Sequence, residues 1–392
     1  MTSDDAYFSF AKTHADLVLA FDVNLYGDRV VTASSDHRLS VWQRDDDKFT
    51  RVDTWRAHDA EVIDVKYNGP LTGSQIGSIG EDGKFCIWQE DVLQPFGSGR
   101  RFVKIYQQLS ANKVPYMSLD FKNINAETYV ALITRDGELT VMEPTNHDVL
   151  KEWQVMWMDY LRKTPPQTDE TSFHVCWHRE KLPAWPAILA GLPRTSLSLA
   201  VVMMGSVKIF RTDNNRQFFT AAEIPAIKAI VRDAAWANGS MRGHDTIATV
   251  GTDGYARVYE LRTPDMAGGN GEILLEESSQ RHRGSISQVA PKSPMIRRTQ
   301  TLKSGIGAGL AGATQGSGKG KDEYDPATGK ILQNVQLKAQ LRCHNGALWR
   351  VSFSQNGAIL LTTGDDGVTK MWRQDLNGSW SEFADIDGAK DS

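Results

Sequence analysis

The sequence predicts an all-β fold, a six-bladed β-propeller in which every blade is a four-stranded antiparallel sheet. Three observations carry that prediction. A segment made of an alternating apolar run, a tight polar turn with Asp, and a short strand ending in a large side chain recurs along the chain. In five copies the turn Asp stands six residues before that end position. A His lies upstream of three copies, followed each time by a further strand-like run. Internal repetition of this kind points to a ring or stack of supersecondary units.

The copies are Val30–Trp42, Gln75–Trp88, Tyr129–Met142, Thr246–Tyr259 and Ile359–Trp372. Their Asp and end positions pair as Asp36/Trp42, Asp82/Trp88, Asp136/Met142, Asp253/Tyr259 and Asp366/Trp372. A sixth copy, Leu197–Phe210, lacks the turn Asp and turns at Met204–Gly205. Period-2 alternation such as Leu39, Val41 and Phe85, Ile87 marks half-buried strands, and Asp-Gly in four turns supplies the positive φ of a tight hairpin. The three upstream His and their strands are His14 before Leu17–Leu25, His58 before Val62–Tyr67 and His344 before Leu348–Phe353. A fourth strand follows each copy, for example Phe49–Trp55 after Trp42. Four strands over about 45 residues match one propeller blade. The blades fall near residues 13–56, 57–110, 111–155, 170–223, 224–340 and 341–387, so residues 1–387 form one propeller and 388–392 a flexible tail.

Composition fits this reading. The 392 residues are 40% hydrophobic and 23% charged, with 11 Trp and a formal net charge of −4. There is no global positive field for nucleic acid, so no direct nucleic-acid partner is expected. Cys86, Cys176 and Cys343 are odd in number and far apart. That argues for a reducing compartment and against a disulfide framework or zinc site. Residues Met1–Tyr7 include Asp4 and Asp5 and no apolar run, so no secretory leader is expected. The apolar stretches Ala184–Leu192 and Leu197–Met204 fall short of the roughly 20 residues that span a bilayer, so any membrane association is expected to be indirect.

His, turn Asp and strand-end Trp in this order resemble the WD-repeat family. The resemblance implies that His, a Ser or Thr, the turn Asp and the Trp form a hydrogen-bonded network inside a blade. The sets it implies are His14, Ser34, Asp36, Trp42 in the first blade and His58, Ser78, Asp82, Trp88 in the second. The last blade supplies His344, Asp366 and Trp372. His14, Asp36 and Ser34 could be read as a hydrolase triad, but an active site does not recur blade after blade, so the structural network is the better reading. His174 and His178 flank Cys176 without a fourth metal ligand, and the Gly-rich 305–320 lacks the order of a phosphate loop. No catalytic group, metal or cofactor is expected, and the chain reads as a non-enzyme.

The fifth blade carries an insertion. Residues 265–329 are Gly/Ser/Lys-rich without strand period and read as a disordered loop. Ser278 to Lys321 holds eight Lys or Arg and no Asp or Glu. Ser293 precedes Pro294, and Thr299 follows Arg297-Arg298, which makes both candidate phosphorylation sites.

After Trp372 the chain still has a strand of its own, Ser379–Ile386, so the last blade need not borrow one from the N-terminus. A ring closed by no exchanged strand leaves two sheet edges that a partner could cover by adding strands. Tyr7, Phe8 and Phe10 on one side and Trp380 and Phe383 on the other are the candidate edge contacts. The first and last blades are similar to the Seh-type nucleoporins, relatives of the Sec-thirteen coat protein. That resemblance implies an open propeller completed by a blade from an α-solenoid nucleoporin within the Y-shaped nuclear pore scaffold. It also implies membership of a vacuolar or lysosomal TOR-regulating complex. A coat-vesicle propeller, a ubiquitin-ligase substrate receptor and a propeller hydrolase are the rival readings.

Overall fold

A computed structural model describes residue 10 and residues 13–46, 48–69, 75–147, 149–161, 170–239, 243–264, 325–375 and 377–387. Blade 1 consists of β1 (Val18–Val23), β2 (Arg29–Ser34), β3 (Arg38–Asp45) and β4 (Lys48–Arg56). Blade 2 has β5 (Val62–Tyr67), β6 (Gln75–Gly80), β7 (Lys84–Glu90) and β8 (Phe102–Leu109). Blade 3 has β9 (Tyr116–Ile124), β10 (Glu127–Thr134), β11 (Glu138–Pro144) and β12 (Trp153–Tyr160). Blade 4 has β13 (Phe173–Trp177), β14 (Ser198–Met203), β15 (Ser206–Thr212) and β16 (Phe218–Ile224). Blade 5 has β17 (Val231–Trp236), β18 (Asp245–Gly251), β19 (Tyr255–Arg262) and β20 (Asn334–Arg342). Blade 6 has β21 (Leu348–Phe353), β22 (Ile359–Gly364), β23 (Val368–Gln374) and β24 (Trp380–Asp387). Each sheet pairs its own four strands in chain order, so the six-bladed propeller expected from the repeat is the fold.

The hairpin turns follow from their residues. Gly83, Gly137, Gly254 and Gly367 take positive φ directly after the turn Asp. Blade 1 has no glycine there, and His37 adopts φ 69 in its place. The weak sixth copy turns on Met204, at φ 58. A side chain in this left-handed region costs roughly 1–2 kcal/mol relative to glycine.

Blades are held together by apolar side chains that interdigitate between successive sheets. Ala33, Leu39 and Val41 of blade 1 meet Val62, Val65 and Ile76 of blade 2. Ile79, Phe85 and Ile87 meet Leu119, Phe121 and Leu132 of blade 3. Ala131, Ile133 and Leu139 meet Val175, Trp177 and Val201 of blade 4. Val202, Val207 and Ile209 meet Val231, Ala234 and Ile247 of blade 5, and Ala248, Val250 and Val258 meet Leu348, Val351 and Leu360 of blade 6. Each Val, Leu, Ile or Phe side chain among them contributes about 1.5–3 kcal/mol when fully buried.

Carboxylates of the innermost strands fasten the same seams. The Trp177 backbone N–H donates to Asp120 Oδ2 at 2.8 Å, and the Tyr67 N–H to Asp22 Oδ2 at 2.7 Å. The Val351 N–H donates to Asp233 Oδ2 at 3.0 Å, and the Leu119 N–H to Asp64 Oδ2 at 3.4 Å. Each of these carboxylates belongs to one blade and each donor to the next.

Two boundaries differ from the sequence reading. β12 runs to Tyr160, beyond the residue 155 expected for blade 3. Residues 325–329, assigned above to the insertion, form a turn closed by a bridge between Asp325 and Lys330. The Asn214 N–H donates to the Thr328 carbonyl at 2.9 Å. Ile331 is buried with Ala187, Ala190, Leu192 and Phe219, beside the short helix α1 (Trp185–Leu189). Burial of Ile331 fixes the chain here, a constraint that Gly/Pro-rich composition hides. The rest of the assigned insertion, with Ser293 and Thr299, lies outside the described residues, as do Tyr7, Phe8 and the tail 388–392.

Replacing His37 with Gly should stabilise the protein by about 1 kcal/mol in chemical denaturation, since it removes the strained φ. Asp120→Ala should cost about 1–3 kcal/mol by leaving the buried Trp177 N–H without its acceptor. An unchanged midpoint in the second variant would show that water replaces the carboxylate.

Candidate functional site: the unfilled interval between blades 6 and 1

The predicted blade networks are assembled in three blades. His58 Nδ1 lies 3.0 Å from Asp82 Oδ1 and its Nε2 lies 2.8 Å from Ser78 Oγ, which also accepts the Trp88 Nε1–H at 2.9 Å. In blade 6, His344 Nδ1 lies 2.8 Å from Asp366, while Thr362 Oγ1 lies 3.3 Å from His344 Nε2 and accepts the Trp372 Nε1–H at 3.1 Å. Each ionised Asp fixes the proton on Nδ1, so Nε2 accepts from the hydroxyl and the chain of donors is complete.

Blade 1 shows the same relay through a different hydroxyl. His14 Nδ1 lies 3.1 Å from Asp36 Oδ2, and its Nε2 lies 2.8 Å from Thr32 Oγ1, which accepts from Trp42 Nε1 at 3.4 Å. Ser34, named from the sequence, instead accepts the Asp36 backbone N–H at 3.1 Å. The signal was available: Thr32, Ser78 and Thr362 all stand ten residues before their Trp, whereas Ser34 stands eight before.

Burial opposes ionisation of Asp82, Asp36 and Asp366. Their His partners and nearby backbone N–H donors outweigh it and hold all three carboxyls below the ordinary 3.8.

His174 and His178 are drawn to carboxylates of blade 5. His174 Nε2 lies 2.9 Å from Asp233 Oδ1, with Nδ1 3.0 Å from Ser118 Oγ, and His178 Nε2 lies 3.4 Å from Asp245 Oδ1. Ser118, His174 and Asp233 thus have the order of a catalytic relay. Ser118 is buried and its Oγ lies 3.3 Å from the Val175 N–H that donates to it, so the arrangement ties blades 3, 4 and 5 together and presents no nucleophile. Burial pushes the Cys176 and Cys86 thiols up to about 12.

What distinguishes the ends of the chain is the face that no seam uses. The innermost strands pack in the series β1, β5, β9, β13, β17, β21, and β21 makes no comparable contact with β1. Among the described residues no core cluster joins blade 6 to blade 1. Phe21 of β1 is consequently 66% exposed and Val23 43%. The facing side of blade 6 carries Ile359, Leu361 and Met371, each only half-buried, whereas Leu360 and Trp372 on its other side are buried against blade 5. Blade 6 also lacks the seam carboxylate: Arg350 pairs with Thr363 where Asp233 pairs with Val250, and Ser352 pairs with Leu361.

Beside β1 lies an apolar hollow of about 440 Å³, lined by Phe10, Val18, Phe21, Val30 and Trp42 among others. Of the candidate edge residues, Phe10 packs on Trp42 and Phe49, with ring centroids 5.2 and 4.8 Å away, and so belongs to this hollow. Trp380 packs against Phe353 at the blade 5 side, and Phe383 is exposed on the outermost strand. The structure therefore moves the candidate surface inward from the outer edge to Phe21, Val23, Leu361 and Met371.

Comparison with known proteins agrees with this architecture. Residues 335–373 match the family model "WD domain, G-beta repeat". Nucleoporin SEH1 of Chaetomium thermophilum is 25% identical, the match covering 96% of this chain and 94% of the relative. Nucleoporin SEH1 of Saccharomyces cerevisiae is also 25% identical, over 93% of this chain and 94% of the relative. Over nearly its whole length the chain is similar to these Seh-type nucleoporins, and its last blade matches the WD-repeat model. Nucleoporin seh1 of Schizosaccharomyces pombe, at 24% identity over 92% of the chain, extends the same match. The matched spans cover more than nine-tenths of the chain and so reach into every blade.

Thr32→Val should lower stability by about 1–3 kcal/mol, because Trp42 Nε1 and His14 Nε2 lose their shared partner. Ser34→Ala should cost less than about 1 kcal/mol. Carboxyls held below their unfolded value stabilise the fold at pH above that value, and this contribution drains away as pH falls through the lower folded value. Stability should therefore decline progressively below about pH 4, and Asp82→Asn should flatten that decline in acid titrations followed by Trp fluorescence.

Proposed function

We propose that this propeller is a non-catalytic scaffold nucleoporin that binds an α-solenoid nucleoporin, whose strands fill the interval between blades 6 and 1. The unburied Phe21 carries this reading: a Phe side chain on an innermost strand is worth about 2–3 kcal/mol once covered. Every other innermost strand between two blades is packed on both sides. Added strands would seat on β1 by β-augmentation, with an apolar side chain in the hollow beside Phe21 and Trp42. The relatives' printed names support the nuclear pore as the place of work. Membership of a Y-shaped pore complex and of a TOR-regulating complex at the vacuole or lysosome belongs to the same proposal and rests on the resemblance of the first and last blades.

Reconstitution tests the central part. Purified propeller mixed with an α-solenoid nucleoporin that carries its own flanking β-segment should elute as one complex. Its unfolding midpoint should lie several degrees above that of the free propeller. Phe21→Glu should weaken the complex at least tenfold with little change in the free protein, since that side chain faces water there. A propeller whose midpoint and elution are unmoved by every such solenoid, or a Phe21→Glu variant that binds as tightly as the parent, would reject the reading.

A further inference from the structure

The innermost strands enclose a central cavity of about 740 Å³ that also reaches the open face. Three cationic side chains line it from alternate blades: Lys66 at the end of β5, Arg179 just beyond β13, and Arg350 in β21. Among the described residues none of the three makes a salt bridge or side-chain hydrogen bond, whereas Arg211 is paired with Asp245 and Arg101 with Glu90. Arg179 and Arg350 are both exposed.

The carboxylates that line the same space are engaged differently. Asp22, Asp64 and Asp233 each give one oxygen to a backbone N–H across a seam, and Asp233 Oδ1 also faces His174 Nε2. They balance the net charge of the lining but offer the three cations no direct partner. The result is a cavity of ligand size on which three cationic donor groups converge without a direct ion pair. Two of them are guanidinium forks, whose planar donors match the oxygens of phosphoryl groups bidentately.

We infer that the central cavity is a binding site for a small molecule carrying several phosphoryl groups, held by Lys66, Arg179 and Arg350. The cavity shares Phe21, Val23 and Leu361 with the strand-accepting face, whereas the three cations lie outside the hollow beside Trp42. A compact polyanion would link blades 2, 4 and 6 from inside the ring and stabilise the free propeller.

Thermal unfolding of the full chain with inositol hexakisphosphate or inorganic tripolyphosphate tests this, with sulfate at equal ionic strength as the reference. Either phosphate compound should raise the midpoint by about 3 °C or more over sulfate at saturation. Titration calorimetry should show affinity lowered at least 100-fold in the variant Lys66→Gln/Arg179→Gln/Arg350→Gln. No rise over sulfate, or a rise that persists in this variant, would overturn the assignment, the second by placing the anion on the basic residues of the insertion. Should the triple variant fail to fold, Arg350→Gln alone decides: affinity about tenfold weaker supports the site, and unchanged affinity removes it.

Discussion

Sheet-to-sheet packing between neighbouring blades is the interaction on which the whole molecule depends. No blade is stable by itself, because a four-stranded sheet buries its two faces only against other sheets. Five seams supply that burial, each with an apolar core, and four of them add an aspartate of one blade that accepts an N–H of the next. The seam between blades 4 and 5 uses other means: Trp236 Nε1 donates to the Cys176 carbonyl, and Asp245 accepts from Arg211 and faces His178. Where a sixth seam would stand, both faces are apolar, and among the described residues no core cluster joins them.

This arrangement gives the polar residues that look like chemistry a structural role. His58 with Asp82 and Ser78, and His174 with Asp233 and Ser118, have the composition of catalytic relays. Each lies within a blade or across a seam, with its hydroxyl already engaged by a backbone or indole N–H. Their cost of desolvation is offset by closed sets of hydrogen bonds, and their positions coincide with places where sheets turn or meet.

Much of the fold was legible in the sequence because hairpin geometry imposes fixed spacings. The six-residue interval from turn Asp to strand end located five blades, and alternation placed β5 and β21 to the residue. The relay hydroxyl of blade 1 was equally legible, at ten residues before Trp42, but Ser34 lay nearer the Asp and resembled a partner. The seam aspartates were hidden because the loop between the first and second strands varies in length, so Asp22, Asp64, Asp120 and Asp233 fall at no constant distance from their repeats. The candidate edge contacts Tyr7 and Phe8 lie outside the described residues, while Phe10 lines the hollow beside β1, and the rest of that face was hidden for a related reason. Sequence shows which residues begin and end the chain, whereas the uncovered face is set by which side of β1 each alternate residue takes, and Phe21 opposite Thr32 is fixed only by register.

The absent sixth seam also changes the kind of object this propeller is. A sealed ring has no first or last sheet, and disrupting one sheet strains all of them. Here the middle blades are clasped from both sides while blades 1 and 6 are held from one, so the molecule behaves as a bent linear array whose cooperativity runs along the arc. Fraying should begin at its two ends, and whatever bridges those ends converts a line into a loop, making distant blades share a single fate.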